Sequence, residues 1–298
     1  MKKVALFLNN NGENNYGFNA LRLIHEAYPD ALVDILVLNE ELPSYARFPS
    51  QERKDRFEDI FSKLSTLVLK ECKQELADVP VSGEHILTGK FPNALVDHCK
   101  SVSYDLLIKQ PLLEPEDRNI VSKGDAKLMK SIPCSIFLAR ETLNNSRGVL
   151  TGLSISNADD TKDPLVDHLL SVSENMALRL GNSLHIAHAW RLFGQEILKG
   201  RAPKEDYIEA INSYKDLESA EFNSFFERVA GRNKEVFYNK HIHNGDPSRV
   251  LTGLAKTLLP SLIVLGSVRR SAIQEYLLGS TAETISNTQP YSVLILKA

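Results

Sequence analysis

The feature that most constrains the fold of this chain is an internal repeat. Residues 85–89 (HILTG) match residues 241–245 (HIHNG), 156 positions further along, and residues 105–108 match residues 261–264 at the same distance. Domains commonly hold about 100–200 residues, so a chain of 298 residues with this repeat is long enough for two copies of one domain. The sequence therefore predicts two tandem domains of the same fold.

The boundary between the two copies is predicted from a polar segment near the middle of the chain. Residues 141–148 (ETLNNSRG) are rich in turn formers and show no hydrophobic periodicity, as is typical of a linker. We therefore predict a first domain over residues 1–144 and a second over residues 145–298.

Each copy alternates short apolar runs with longer amphipathic stretches. In the first copy the runs typical of buried strands are residues 3–8, 31–38, 83–87, 106–108 and 135–139. The resulting order, βαβαβαβαβ, predicts an α/β fold: a doubly wound, flavodoxin-like, five-stranded parallel sheet with helices on both faces. Asp163-Pro164 and Asp246-Pro247 are predicted to begin helices of the second copy, and Asp125 to cap a short helix of the first.

Composition and charge exclude several classes of function. The formal charge of −3 and the pI near 6.3 give no positive field for nucleic acid, so we expect no nucleic-acid partner. The first apolar run is too short for a signal peptide, and no run approaches the length of a membrane span. The three cysteines, Cys72, Cys99 and Cys134, form no pairing pattern, which favours a cytoplasmic location without a membrane partner.

One motif in the second copy predicts a phosphate-binding site. Gly266 follows a buried strand, and Gly279-Ser280-Thr281 opens the last helix. In a doubly wound sheet ligands bind outside the carboxyl ends of the strands, where both pieces are expected to lie. Glycine permits close approach of the backbone, and a helix N-terminus presents amide groups with a partial positive charge to an anion.

The spacing of this motif resembles that of the universal stress protein family. The family has Gly, two residues, Gly, nine residues, then Gly followed by Ser or Thr, and the same spacing runs from Gly266 through Arg269 to Gly279. The resemblance covers both halves and is to the tandem, E-like members. It implies a nucleotide-like small ligand, ATP with Mg²⁺, at a second-domain site made of Asn157, Gly266, Arg269, Arg270, Gly279, Ser280 and Thr281.

The resemblance also has consequences for assembly. Single-domain members of the family dimerise through their last strand. The resemblance therefore implies that residues 135–140 and 292–297 pair across an internal pseudo-two-fold axis, which makes the chain an internal pseudo-dimer. Whether two such chains form a further homodimer is left open by the sequence. Such pairing would also cover two sheet edges.

This chain departs from the family pattern at two positions of the second copy. Arg269 stands at the second glycine, where its bulk either excludes a phosphate or, with Arg270, supplies a charged fork to an anion. Asn157 lies where ATP-binding members have an acidic residue after the first strand, and its amide offers replacement hydrogen bonds.

The first copy has lost the glycines of the motif. Gln110 aligns with Gly266, and Lys123-Gly124-Asp125 replaces Gly279-Ser280-Thr281, with the same loop length of 13 residues. The Asp125 carboxylate would oppose a phosphate at that helix start. We therefore expect the first domain to be structural or to bind something other than a nucleotide.

The sequence favours a binding protein over an enzyme. No Ser-His-Asp order, Walker-type loop or paired carboxylates are present, so no catalytic residue is expected. The leading function is a stress-response factor that binds an adenine nucleotide or another phosphate-bearing ligand. The alternatives are a nucleotide-free interaction or scaffold protein with unknown protein partners, and a slow ATP hydrolase.

The histidines of the second copy raise a weaker alternative. His241 and His243 share one face of a predicted strand, and His185 and His188 lie on the strand expected beside it. Imidazoles gathered in this way could hold zinc. Because His185 and His188 are three residues apart they project to opposite faces, and histidines of the core or of an interface are the favoured interpretation.

Overall fold

The computed structural model describes residues 1–10, 14–42, 46–117, 120–140, 143, 147–155, 163–267 and 278–297. The first half consists of β1 (Lys3–Leu8), α1 (Asn15–Ala27), β2 (Leu32–Glu40), α2 (Gln51–Glu75), β3 (Gly83–Gly89), α3 (Asn93–Val102), β4 (Leu106–Lys109), α4 (Lys123–Ser131) and β5 (Ser135–Leu138). The alternation predicted from the sequence is confirmed. The predicted boundary between residues 144 and 145 lies outside the described residues.

The second half repeats this order. It consists of β6 (Val149–Leu153), α5 (Pro164–Ala177), β7 (Ser183–Trp190), α6 (Gln195–Arg201), α7 (Lys204–Val229), β8 (Phe237–Asn244), α8 (Pro247–Leu258), β9 (Leu262–Ser267), α9 (Ser280–Thr288) and β10 (Ser292–Lys297). The short helix α6 was not predicted. None of the helices in the described ranges is long and apolar enough to cross a bilayer.

All ten strands form one sheet, with the order β3-β2-β1-β4-β5-β10-β9-β6-β7-β8. Pairing within each half is parallel, whereas β5 and β10 pair antiparallel in the middle. Equivalent strands keep equivalent registers, since Val4 lies opposite Leu106 and Val149 lies opposite Leu262, 156 residues after Leu106. The doubly wound α/β class is therefore confirmed for both halves, which run in opposite directions.

Two hydrophobic cores sandwich the sheet and run through both halves. One lies beneath α1, α2, α5 and α7, with Phe222 and Phe225 of α7 fully buried. The other lies beneath α3, α4, α8 and α9. The strands at the centre of the sheet are buried on both faces, which explains why they appear in the sequence as continuous apolar runs. Burial of this apolar surface is the main force that holds the halves together.

Helix starts follow the predicted chemistry in two cases and differ in a third. The Asp163 carboxylate accepts the Leu165 N–H at 2.8 Å, and Asp246 caps α8 in the same way. The prediction that Asp125 caps α4 is wrong: Ser122 is the cap, and its hydroxyl accepts the Asp125 N–H at 3.2 Å. Asp125 lies inside the first turn because its carboxylate is engaged elsewhere, as described below.

The seam between the halves is the antiparallel pairing of β5 with β10. Phe137 lies opposite Leu294, its own equivalent in the repeat. On either side, the Ser135 hydroxyl accepts the Lys297 N–H and the Ser292 hydroxyl accepts the Arg140 N–H, both at 3.1 Å. The implied internal pseudo-two-fold pairing is therefore present in the structure.

Two cations extend the seam by capping helices of the opposite half. The Arg140 guanidinium donates to the carbonyl oxygens of Ser286 and Gln289 at the end of α9. The Lys297 ammonium donates to the Ile132 carbonyl at the end of α4. Cations at helix C-termini bond the free carbonyl groups and oppose the helix dipole.

We expect Arg140→Ala to lower the free energy of unfolding by about 1–3 kcal/mol, because it removes charge-assisted hydrogen bonds and leaves two carbonyl groups poorly satisfied. The measurement is urea denaturation of the whole chain. The exposed Arg53→Ala is the control and should change stability by less than about 0.5 kcal/mol. Equal effects of the two substitutions would show that the Arg140 contacts do not stabilise the seam.

Candidate functional site

A cavity of about 400 Å³ opens at the carboxyl ends of the strands of the second half, between β6 and β9, where the strand order reverses direction. It brings together four of the seven predicted ligand residues, namely Gly266, Gly279, Ser280 and Thr281. Open α/β sheets bind ligands at this kind of position. The other three, Asn157, Arg269 and Arg270, lie outside the described residues.

Helix α9 points its N-terminus into this cavity. Gly279 is the N-cap residue, in extended backbone with φ −62° and ψ 147°, and among the described residues no side chain caps the helix. The first N–H groups of an α-helix have no partner within the helix and carry a partial positive charge. The acidic residue of the first turn, Glu283, forms an ion pair with Lys130 of the first half at 2.6 Å. This end of the cavity is therefore suited to an anionic group.

The two glycines of the motif have different physical roles. A Cβ on Gly266 would lie 2.8 Å from Cδ1 of Leu169, so an added methyl group would displace this side chain where α5 packs on β9. Within the described residues, a Cβ on Gly279 would meet no atom within 4 Å. Packing therefore favours glycine at position 266, whereas the described part of the structure leaves space beside Gly279 at the helix start.

The rest of the cavity wall is mainly aliphatic. Its apolar residues are Leu153, Leu165, Val166, Leu169, Ala187, Ala189, Pro247, Val250, Leu251, Leu265 and Ala282. Among the described lining residues the single ionisable side chain is Asp163, whose carboxylate is already used to cap α5. The described part of the site therefore combines an apolar chamber with an anion-binding end, and it holds no group placed for acid–base catalysis.

The equivalent position in the first half holds a smaller cavity of about 240 Å³. Phe7 and Lys109 line it where the second half has Gly152 and Leu265. The Gln110 side chain, aligned with Gly266, uses its carbonyl oxygen to accept the Tyr16 N–H at 3.0 Å at the start of α1. Larger side chains thus occupy space that is open in the second half.

A buried ion pair lies beside this smaller cavity, with its lysine, Lys109, in the cavity wall. Lys109 Nζ lies 3.0 Å from Asp125 Oδ1, and the two side chains are 1% and 0% exposed. Burial lowers the pKa of Lys109, while the charge of Asp125 opposes that effect. Sequence reasoning missed Lys109. The signal that could have found it is a lysine at the end of the apolar strand Leu106–Lys109, followed by an acidic residue, Asp125, at the start of the next helix.

The four histidines considered above lie on β7 and β8, and none of them is among the described residues that line the cavity. His185 Nδ1 lies 3.0 Å from His241 Nε2, and burial, assisted by the neighbouring histidines, lowers the pKa of His241 to about 4. His188 lies on the opposite face of β7, with Nε2 3.0 Å from Glu218, as the spacing predicted. The part of the chain that the structure describes contains no group of three or more His, Cys, Asp or Glu that could hold a metal ion.

Comparison with known proteins gives a consistent result for both halves. The model of the universal stress protein family matches residues 155–297. The chain is 22% identical to the universal stress protein E homolog of Haemophilus influenzae over 99% of this chain and 97% of that protein. It is also 22% identical to universal stress protein E of Escherichia coli K12, over 83% and 78% of the two chains.

Solved structures extend the likeness in fold. A functionally unknown protein from Pseudomonas aeruginosa PAO1 superposes with a TM-score of 0.66 at 19% identity, covering 100% of this chain and 92% of the other. A universal stress protein from Archaeoglobus fulgidus superposes with a TM-score of 0.62 at 15% identity, covering 98% of each chain. At these identities the likeness shows the fold alone, and it spans both halves.

The different roles of the two glycines lead to a matched pair of substitutions. We expect Gly266→Ala to destabilise the protein by about 1–3 kcal/mol, because the new methyl group overpacks against Leu169. Gly279→Ala should change stability by less than about 0.5 kcal/mol, since no atom of the described residues lies near the new methyl group and alanine loses less chain entropy on folding. Both are measured by urea denaturation. A larger cost for Gly279→Ala than for Gly266→Ala would contradict these assignments.

Proposed function

Because this chain belongs to the universal stress protein family, we propose that it is a stress-response binding protein whose second half takes a phosphate-bearing ligand, foremost an adenine nucleotide. The observation that carries the proposal is the cavity in which Gly266, Gly279, Ser280 and Thr281 meet beside an apolar chamber. The proposed location is the cytoplasm, where adenine nucleotides are abundant and where the buried, free cysteines stay reduced.

The phosphate end of the proposed ligand lies at the start of α9. There the backbone N–H groups of Ser280 and Thr281 and their hydroxyls can donate to phosphate oxygens, and the helix dipole favours the negative charge. Gly279 leaves room for the phosphate to approach the backbone. A Mg²⁺ ion would accompany ATP as part of the ligand.

The apolar chamber suits the other end of a nucleotide. Its volume of about 400 Å³ is within the range of roughly 300–1,000 Å³ seen for small-ligand sites. Aliphatic side chains such as Leu153, Val250 and Leu251 offer flat apolar contact to a base or ribose without polar groups that would need a partner. We propose that Asn157, Arg269 and Arg270 add polar contacts from the loops that border the chamber.

One observation favours a second function, a nucleotide-free interaction protein. The contact of Gly266 with Leu169 gives this glycine a role in packing that needs no ligand. If Gly279 had a purely structural role as well, the motif would serve only the fold. Against this alternative, no atom of the described residues lies where a side chain at position 279 would begin.

Thermal unfolding with and without millimolar Mg-ATP tests the leading function. A ligand at a hundredfold excess over its Kd stabilises the native state by about 2.7 kcal/mol, so we expect the Tm of the wild type to rise by several degrees. Gly279→Val should fold but lose this response, since its side chain fills the phosphate end. The control Gly253→Val, at an open and exposed glycine on α8, should keep it.

The same measurement on Arg269→Gly separates the two interpretations of the arginine. A weaker response than that of the wild type would assign a ligand contact to Arg269, and a stronger one would show that it restricts the site. No response from the wild type, Arg269→Gly or Gly253→Val would contradict nucleotide binding and favour the interaction protein. Release of phosphate that disappears in Ser280→Ala would instead be needed to support a slow ATP hydrolase.

A further inference from the structure

The first half contains a buried polar group of residues that the proposed function does not use. We call it the ion-pair cluster and define it as Lys109, Asp125 and Asn9 with the backbone of Gln110 and Leu112. The Lys109 ammonium is surrounded by three oxygens: Asp125 Oδ1 at 3.0 Å, Asn9 Oδ1 at 2.9 Å and the Gln110 carbonyl at 3.0 Å. Asn9 Oδ1 and the Gln110 carbonyl oxygen accept hydrogen bonds from the ammonium, whereas Asp125 Oδ1 contacts it as an ion pair.

The carboxylate of this cluster lies at the start of α4, the helix that corresponds to α9 of the other half. Asp125 is three residues after the N-cap residue Ser122, the position that Ala282 has in α9. Its Oδ2 accepts the Leu112 N–H at 2.7 Å and the Ser122 hydroxyl at 3.1 Å. A negative group that lies at a helix N-terminus, accepts a backbone N–H and faces a cation has the kinds of partner that bind anions in proteins.

The surroundings shield this carboxylate from solvent. Lys109 also lies over the rings of Phe7 and Phe91, at 5.6 and 5.5 Å from their centroids. Both charges are almost completely buried, and a buried charge that loses its partner is strongly destabilising. The remaining cavity of about 240 Å³ lies beside the pair, with Asn9, Phe91 and Lys109 in its wall.

We propose that Asp125 is an internal ligand: its carboxylate takes the place of a bound anion beside Lys109 at the start of α4. Lys109 is accordingly a latent anion-binding residue, which takes a small carboxylate or phosphate only when the Asp125 carboxylate is absent. The first half is thereby held in a ligand-occupied arrangement without a nucleotide. This inference concerns the first half and does not depend on what the second half binds.

Chemical rescue tests the proposal. Asp125→Ala removes one carboxylate group and leaves a gap of about the size of formate beside Lys109. We expect this variant to unfold at a Tm several degrees lower than that of the wild type, and sodium formate to restore much of the loss with a saturable dependence on concentration. Circular dichroism at fixed ionic strength, held with sodium chloride, measures the transition. If the variant does not fold alone, the folded fraction is followed as formate is added.

Two further variants isolate the role of Lys109. Asp125→Asn keeps the shape of the side chain, so it should be destabilised but not rescued, because formate has no space to enter. The double variant Lys109→Met with Asp125→Ala has no buried charge to neutralise, so formate should change its Tm no more than that of the wild type.

The results of these measurements either support the internal ligand or overturn it. Saturable rescue of Asp125→Ala that is lost in the double variant supports the internal ligand. Rescue that persists in the double variant would show a general salt effect and overturn the proposal. It would also be overturned if Asp125→Ala were as stable as the wild type, or if formate and inorganic phosphate both failed to stabilise it.

Discussion

The antiparallel pairing of β5 with β10 is the constraint on which the rest of the structure depends. Each half is a parallel sheet with two edge strands, of which β5 or β10 is the apolar one, and an exposed edge strand of this apolar character is an aggregation hazard. Joining the two edges produces a single ten-stranded sheet with cores that run through both halves. Because the pairing is antiparallel, the carboxyl ends of the two sets of strands point in opposite directions. The two cavities therefore open at opposite ends of the strands.

The two halves have used the same backbone in different ways. In the second half, small residues at the ends of β6 and β9 and at the start of α9 leave a chamber of about 400 Å³. In the first half, Phe7 and Lys109 reduce the equivalent space to about 240 Å³, and Asp125 supplies the negative charge. Unlike a diffusible ligand, an internal carboxylate is always present. The first half can therefore keep one structure and support the second half, whose cavity stays available for a ligand.

Most of the fold was predictable from the sequence because it depends on patterns that recur locally. Apolar runs, Asp-Pro helix starts and the repeat of 156 residues lead directly to two doubly wound halves. The site was predictable only in part. Asp125 was misassigned as a helix cap because its role depends on Lys109, which reaches it across a loop. The assignment of Gly266 to phosphate approach stays a prediction, and its contact with Leu169 of α5 is a tertiary feature that spacing does not reveal.

A crystal structure of the wild type with Mg-ATP at saturating concentration tests the central claim most directly, since it examines both cavities in one molecule. The account predicts density for the nucleotide in the second half alone, with its phosphates against the backbone of Ser280 and Thr281 and the Lys109–Asp125 pair intact. Nucleotide density beside Asp125 in the first half, or an empty second cavity at that concentration, would contradict it.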